Sequence, residues 1–107
     1  MEKKISELLV KLAVCHATCN YCFNACLNEN EIKMMKECIK LNRDCAEICA
    51  LAISLVSSYS RFDKDILRLC IKACDRCSGE CRKHDYIHCQ ECARACEECA
   101  AACRAYN

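Results

Sequence analysis

Residues 89–103 read Cys-Gln-Glu-Cys-Ala-Arg-Ala-Cys-Glu-Glu-Cys-Ala-Ala-Ala-Cys, with a cysteine at every third or fourth position. Side chains three and four residues apart lie on the same face of an α-helix. In a helical bundle this face is the buried seam, which leucine usually fills. We therefore predict a helix over this stretch whose buried face consists of thiols.

The same spacing recurs in three earlier segments. Sixteen of the 107 residues are cysteine, and the steps within each segment are three, four or seven residues. The cysteines are Cys15, Cys19, Cys22, Cys26, Cys38, Cys45, Cys49, Cys70, Cys74, Cys77, Cys81, Cys89, Cys92, Cys96, Cys99 and Cys103. Because each group forms one helical stripe, the sequence predicts four helices around a cysteine-lined core.

Composition and spacing predict an all-α fold. The chain has no proline and one glycine, and short connections join the four periodic segments. Short connections join antiparallel neighbours, so we predict one domain, residues 1–107, folded as an antiparallel up-down-up-down four-helix bundle. Asn28 and Glu31 have the spacing of a capping box and predict that the second helix begins near Glu31.

The two halves of the chain repeat each other. Adding 55 maps the first cysteine group onto the third, and adding 54 maps the second group onto the fourth. This offset predicts a duplicated helical hairpin, about residues 1–57 and 58–107. Two positions break the repeat, because Met35 stands opposite Cys89 and Asn42 stands opposite Cys96.

Charge and hydropathy exclude several classes of partner. Sixteen basic and fifteen acidic side chains leave a formal charge of +1, with no basic run that would bind a nucleic acid. We see no export signal and no apolar stretch long enough to span a membrane, and we therefore expect a soluble cytoplasmic protein. In a reducing cytosol, this cysteine content points to metal rather than to disulfides.

The chemistry of the predicted core favours Cu(I). Soft thiolates select soft ions, and Cu(I) accepts two or three sulfur ligands. A divalent ion held by four thiolates would leave buried negative charge, whereas one monovalent ion can balance each thiolate. Electroneutrality then predicts roughly fifteen Cu(I) ions per chain.

The two ends of the predicted bundle differ. One end has apolar residues beyond the cysteines, namely Ile5, Leu8, Leu12, Ile53, Val56, Ile66 and Tyr106. The other end carries Met35, His84 and His88, with Met34 beside them. Thioethers and imidazoles bind Cu(I) more weakly than thiolates do, so we predict that Met35, His84 and His88 form the mouth through which copper enters.

Two stretches of the sequence resemble those of a known family. They are Arg-Asp-Cys-Ala-Glu-Ile-Cys-Ala-Leu-Ala at residues 43–52 and His-Asp-Tyr-Ile-His-Cys-Gln-Glu-Cys-Ala-Arg-Ala-Cys at residues 84–96. With the Cys-x3-Cys rows, they resemble the cytosolic class of Cys-rich four-helix-bundle copper storage proteins. The resemblance covers nearly the whole chain. It implies many Cu(I) ions held mainly by cysteine pairs, storage in the bacterial cytosol, assembly as a homotetramer and histidines at the mouth, here His84 and His88. A copper chaperone would be the delivery partner.

Two other functions stay open at this point. One is a zinc or cadmium thiolate buffer, and the other is a redox or iron–sulfur electron carrier that uses the Cys-x-x-Cys pairs. Helical spacing accounts for these pairs without a ligand turn. We expect no enzyme, because the sequence does not bring a nucleophile, a base and an orienting group together.

Overall fold

The computed structural model describes residues 1–106, which form four α-helices. These are α1 (Lys3–Leu27), α2 (Lys36–Ser57), α3 (Asp63–Cys81) and α4 (Ile87–Tyr106). Each helix packs against the next, and α1 also packs against α4, which closes the bundle. The bundle measures 44 × 18 × 18 Å. The predicted all-α four-helix architecture is confirmed.

The buried face of the bundle changes from hydrocarbon to sulfur along its length. At one end, the buried side chains are Ile5, Leu8, Leu12, Val56, Ile66 and Leu67. Ile53 and Tyr106 are half-buried and pack against this group. Cysteine fills most of the remaining core positions of all four helices. The apolar plug therefore lies where the sequence predicted it, and Leu67 adds to it.

The α1–α2 connection differs from the predicted capping box. A 3₁₀ turn at Ile32–Met35 precedes α2, and Met35, not Asn28, is the N-cap residue of that helix. The Asn28 amide instead donates to the carbonyl oxygen of Asn24 at 2.9 Å, within the last turn of α1. The prediction was wrong because Asn28 serves the end of α1, while the 3₁₀ turn buries Met35 in the core.

A left-handed residue ends α2. Tyr59 has a φ of 56° and an exposed side chain. Its N–H donates to the carbonyl oxygen of Val56 at 3.2 Å, and the N–H of Ser60 donates to that of Leu55 at 2.9 Å. This is the hydrogen-bonding pattern of a Schellman motif, in which the left-handed position usually belongs to glycine.

Replacing Tyr59 by glycine should stabilise the bundle, because glycine adopts this conformation without steric cost. We expect Tyr59→Gly to raise the free energy of unfolding of the metal-free protein by about 0.5–1 kcal/mol, measured by denaturant titration under reducing conditions. Tyr59→Ala is the matched control, because it removes the same side chain and keeps the Cβ atom. Equal effects of the two substitutions would contradict the backbone explanation.

Candidate metal centre

Every cysteine of the chain lies inside the bundle. All sixteen are free thiols, and each has a relative exposure of 0%. The sequence had named all of them as candidate ligands from their helical spacing. The structure brings their sulfur atoms together in one continuous column.

The larger part of this column, here called the deep cluster, lies toward the apolar plug. It consists of Cys15, Cys19, Cys45, Cys49, Cys70, Cys74, Cys96, Cys99 and Cys103. The Sγ atom of Cys15 lies 4.0 Å from that of Cys19, 3.9 Å from those of Cys45 and Cys74, and 3.8 Å from that of Cys96. The sulfurs of Cys15, Cys45, Cys74 and Cys96 all lie within 4.8 Å of one another. Each of the four helices therefore contributes one sulfur to this group.

A second group, here called the mouth cluster, lies at the opposite end of the column. Its members are Cys22, Cys26, Cys38 and Cys89, whose sulfurs lie within 4.8 Å of one another. The Sγ atom of Cys26 is 3.8 Å from those of both Cys22 and Cys38. These residues come from α1, α2 and α4, so the mouth cluster lies between three helices.

His88 contacts the mouth cluster directly. Its Nδ1 atom lies 3.3 Å from the Sγ of Cys22 and 3.5 Å from that of Cys89. Its Nε2 atom lies 2.8 Å from a carboxylate oxygen of Glu29, and the ring stacks on Tyr86. With Nε2–H donating to the carboxylate, the Nδ1 lone pair faces the sulfurs of Cys22 and Cys89.

The other two predicted mouth residues are placed differently. His84 has its Nε2 atom 2.9 Å from a carboxylate oxygen of Glu80, and its carbonyl oxygen accepts a hydrogen bond from Gln90 at 2.6 Å. Met35 is buried at the start of α2, whereas Met34 is exposed. Of the three predicted mouth residues, His88 is therefore the one that hydrogen-bonds cysteine sulfur.

The three remaining cysteines surround a buried amide, and their sulfurs also lie close to those of both clusters. Cys77, Cys81 and Cys92, here called the amide belt, donate to Oδ1 of Asn42 at sulfur–oxygen distances of 3.2, 3.8 and 3.3 Å. On its other side, Nδ2 of Asn42 donates to the sulfurs of Cys38 at 3.7 Å and Cys26 at 4.0 Å. Asn42 is completely buried. Sequence reasoning assigned it no role, although its place in the repeat opposite Cys96 was a signal.

Hydrogen bonds among the thiols raise the pKa of some cysteines and lower the pKa of others. Bonding with Cys15, together with burial, raises the pKa of Cys19 and of Cys96. A bond from Cys103 lowers the pKa of Cys70 to about 6, and a bond from Cys15 lowers the pKa of Cys74 to about 7. The physical cause is that S–H donors around one sulfur stabilise its thiolate, while the donors themselves hold their protons more firmly.

The core has no positive side chain to balance ionised sulfur. Among the described residues 1–106, the buried polar side chains are Asn42 and Ser78, and both are neutral. An ionised thiol column of this size would be prohibitively unfavourable without cations. The arrangement can therefore hold many thiolates only if soft, thiophilic cations enter with them.

Comparison with known proteins agrees with this geometry. The sequence matches the family described as "Copper storage protein" over residues 1–107. A cysteine-rich protein of Bacillus subtilis (strain 168), YhjQ, is 43% identical over 94 residues, which are 87% of each chain. The chain belongs to the copper storage protein family.

Solved structures of copper storage proteins are similar to this bundle. The Cu(I)-bound copper storage protein BsCsp3 of Bacillus subtilis has a TM-score of 0.92 and 42% identity, covering 96% of this chain and 97% of its own. A cytosolic copper storage protein of Streptomyces lividans, solved with five coppers, has a TM-score of 0.93 and 28% identity, covering 96% of this chain and 91% of its own.

Within residues 1–106 of the present chain, no helix has the length and apolarity needed to cross a membrane.

The acidity of the thiols predicts how the stability of the metal-free protein depends on pH. Cys70 and Cys74 have lowered pKa values, so their stabilisation is present above the unfolded value of about 8.5 and is lost as pH falls through their folded values of about 6 and about 7. Cys19 and Cys96 have raised pKa values, so their stabilisation is complete below about 8.5 and is lost as pH rises. We expect the thermal midpoint to be highest near pH 8 and to fall on the alkaline side.

The measurement is a series of thermal unfolding curves between about pH 6 and 10 with a strong reductant. The copper-loaded protein is the control, because sulfurs that bind metal carry no proton and its midpoint should not show the alkaline fall. A midpoint of the metal-free protein that rises continuously to pH 10 would contradict the raised pKa values.

Proposed function

We propose that this protein stores Cu(I) at high capacity inside its helical bundle. The observation that carries the proposal is the continuous column of sixteen buried sulfurs with no buried cation beside it among residues 1–106. Monovalent copper balances one thiolate per ion, so the column can be filled without accumulating charge. We propose all sixteen cysteines as ligands, with roughly fifteen Cu(I) ions per chain at saturation.

The proposed role is storage and detoxification without catalysis. Catalysis requires a reactive group that substrate can reach, whereas the thiols here are shielded from solvent. The copper bound to BsCsp3 and to the Streptomyces lividans protein supports the same role by family. Copper is therefore the substance that this protein stores, and the function of the protein is to sequester and release it.

Copper would enter at the end of the bundle that carries His88. The contact of its Nδ1 atom with Cys22 and Cys89 supports a path from imidazole to thiolate. Met35 and His84 complete the proposed mouth, with Met35 offering a thioether at the core boundary and His84 a more peripheral nitrogen. The apolar plug at the other end supports a single direction of filling.

We propose that the protein acts in the cytoplasm as a homotetramer that receives copper from a chaperone. A groove of about 300 Å³ between α2 and α3, lined by Leu41, Ile48, Leu69 and Ala73 and rimmed by charges, supports a subunit contact there. The exposed side chains of Val10, Val14 and Leu51 add further apolar surface.

Light scattering should give about four times the chain mass of 12.2 kDa, and Leu69→Glu should reduce the measured mass. A monomeric mass for the unchanged protein would contradict this assembly.

The chain is proposed to be one domain made of two similar hairpins. The contacts of α1 with α2 and of α3 with α4 support this division, as does the cysteine repeat. Each hairpin contributes half of the sulfur column, and neither could enclose it alone. Copper binding would consequently tie the two hairpins together.

Anaerobic titration tests the storage function. The reduced metal-free protein is titrated with Cu(I) against a chromophoric chelator, and the saturated species is weighed by native mass spectrometry. We expect ten or more ions per chain, on the basis of one ion per thiolate. Zn(II) in competition should displace little copper, because soft thiolates prefer Cu(I). Saturation at about four ions or fewer, or a preference for Zn(II), would contradict the proposal.

A further inference from the structure

A carboxylate–imidazole pair lies over the mouth cluster and joins the two halves of the chain. Nε2 of His88 is 2.8 Å from a carboxylate oxygen of Glu29, a residue 59 positions earlier in the sequence. Glu29 follows the end of α1, whereas His88 belongs to the first turn of α4. Their side chains are 24% and 12% exposed, while the four cysteines of the mouth cluster have no exposure. The pair therefore lies between these sulfurs and solvent.

Both members of this pair are held in place by further contacts. The backbone N–H of Glu29 donates to the carbonyl oxygen of Cys26 at 3.2 Å, at the end of the helix that carries two mouth cysteines. The ring of His88 stacks on that of Tyr86, with 5.4 Å between the centroids and 7° between the planes. A carboxylate held in this way commonly fixes the orientation of a histidine that binds metal.

The carboxylate also determines which nitrogen of His88 carries the proton. A carboxylate accepts hydrogen bonds and donates none, so the neutral imidazole bonds to Glu29 with its proton on Nε2. Nδ1 then carries the lone pair, 3.3 Å from the Sγ of Cys22 and 3.5 Å from that of Cys89. In the other tautomer, Nδ1 bears the proton and binds no metal, and Nε2 faces the carboxylate as a second acceptor.

The other histidine at this end has a carboxylate partner but a different position. Nε2 of His84 is 2.9 Å from a carboxylate oxygen of Glu80, which lies four residues earlier. Among the described residues 1–106, cysteine sulfur hydrogen-bonds to the imidazole of His88 and not to that of His84. Glu29 is therefore the carboxylate whose imidazole partner contacts the sulfur column.

Resting on the proposed storage function, we propose that Glu29 is a positioning residue for copper uptake. By fixing the tautomer and the orientation of His88, it presents Nδ1 beside the sulfurs of Cys22 and Cys89, where an entering Cu(I) ion passes from imidazole to thiolate. Glu29 itself binds no copper, because carboxylate oxygen is a hard ligand and Cu(I) is a soft ion. Its loss slows uptake and leaves the number of ions at saturation unchanged, since no thiol is removed.

Nuclear magnetic resonance of the reduced, metal-free protein tests the positioning. Long-range proton–nitrogen correlation distinguishes the two tautomers of His88 at about pH 8, where an ordinary imidazole is neutral. We expect the Nε2–H tautomer in the unchanged protein and a mixture of both in Glu29→Ala. Glu31→Ala is the matched control, because it removes the same charge from an exposed position in the same connection. Predominance of the Nδ1–H tautomer in the unchanged protein would overturn the inference without any variant.

Stopped-flow kinetics tests the effect on uptake. Cu(I) is transferred from its complex with bicinchoninate to an excess of reduced protein, and the absorbance of the complex reports the rate. Glu29→Ala should slow the transfer by on the order of tenfold, the usual effect of removing the partner of a metal-binding histidine. Glu29→Gln keeps an oxygen that can accept from Nε2–H, so it should retain the tautomer and most of the rate. Glu31→Ala should behave as the unchanged protein does.

The possible results distinguish the role of Glu29 from the function on which it rests. Circular dichroism checks that each variant has folded, and native mass spectrometry should give the same number of ions at saturation for all of them. If Glu29→Ala takes up copper as fast as the unchanged protein, or if Glu31→Ala slows uptake equally, the role of Glu29 is wrong and storage stands. Saturation of the unchanged protein at about four ions or fewer would overturn the storage function itself.

Discussion

The rest of the structure depends on one constraint, the need to keep a buried column of sulfur electrically neutral. As thiols, the sixteen cysteines are small, weakly polar residues that can pack in a helical core. As thiolates, they would place a large uncompensated charge in a medium of low dielectric constant. The bundle therefore stays close to neutral in two forms, with protons on most of its sulfurs or with soft monovalent cations in place of the protons. Because Cu(I) can replace the protons of the thiols without a change in net charge, the core can store copper.

The remainder of the molecule serves this exchange. The hydrocarbon side chains at one end supply the burial that sulfur contributes less strongly, and they close that end of the column. At the other end, the pairing of Glu29 with His88 orients an imidazole toward the sulfurs of Cys22 and Cys89. Surface ion pairs such as Lys11–Glu98 connect neighbouring helices, but exposed pairs of this kind contribute little stability. Metal binding is therefore expected to contribute strongly to the stability of the loaded protein.

The sequence was sufficient to predict the fold and the burial of all sixteen cysteines because cysteine occupies the core positions of all four helices. Helical spacing fixed which face of each segment is buried, so the same pattern predicted the bundle and its sulfur column. Local hydrogen bonding was harder to predict. Asn28 satisfies the cap-forming pattern at either helix end, and its choice of α1 depends on the 3₁₀ turn that buries Met35. The pairing of His84 with Glu80, and the contacts of Asn42, likewise depend on three-dimensional neighbours that spacing alone does not specify.

The most direct test of the central claim is the number of protons released for each Cu(I) ion bound. The metal-free protein would be titrated anaerobically with Cu(I) in a weakly buffered, slightly acidic solution while a pH-stat records the base needed to hold the pH. If copper replaces protons one for one, the ratio stays close to one over most of the titration, because each ion then balances one new thiolate. A ratio close to two would mean that negative charge accumulates in the core. A ratio close to zero would mean that copper binds without the thiols, and either result would contradict the account.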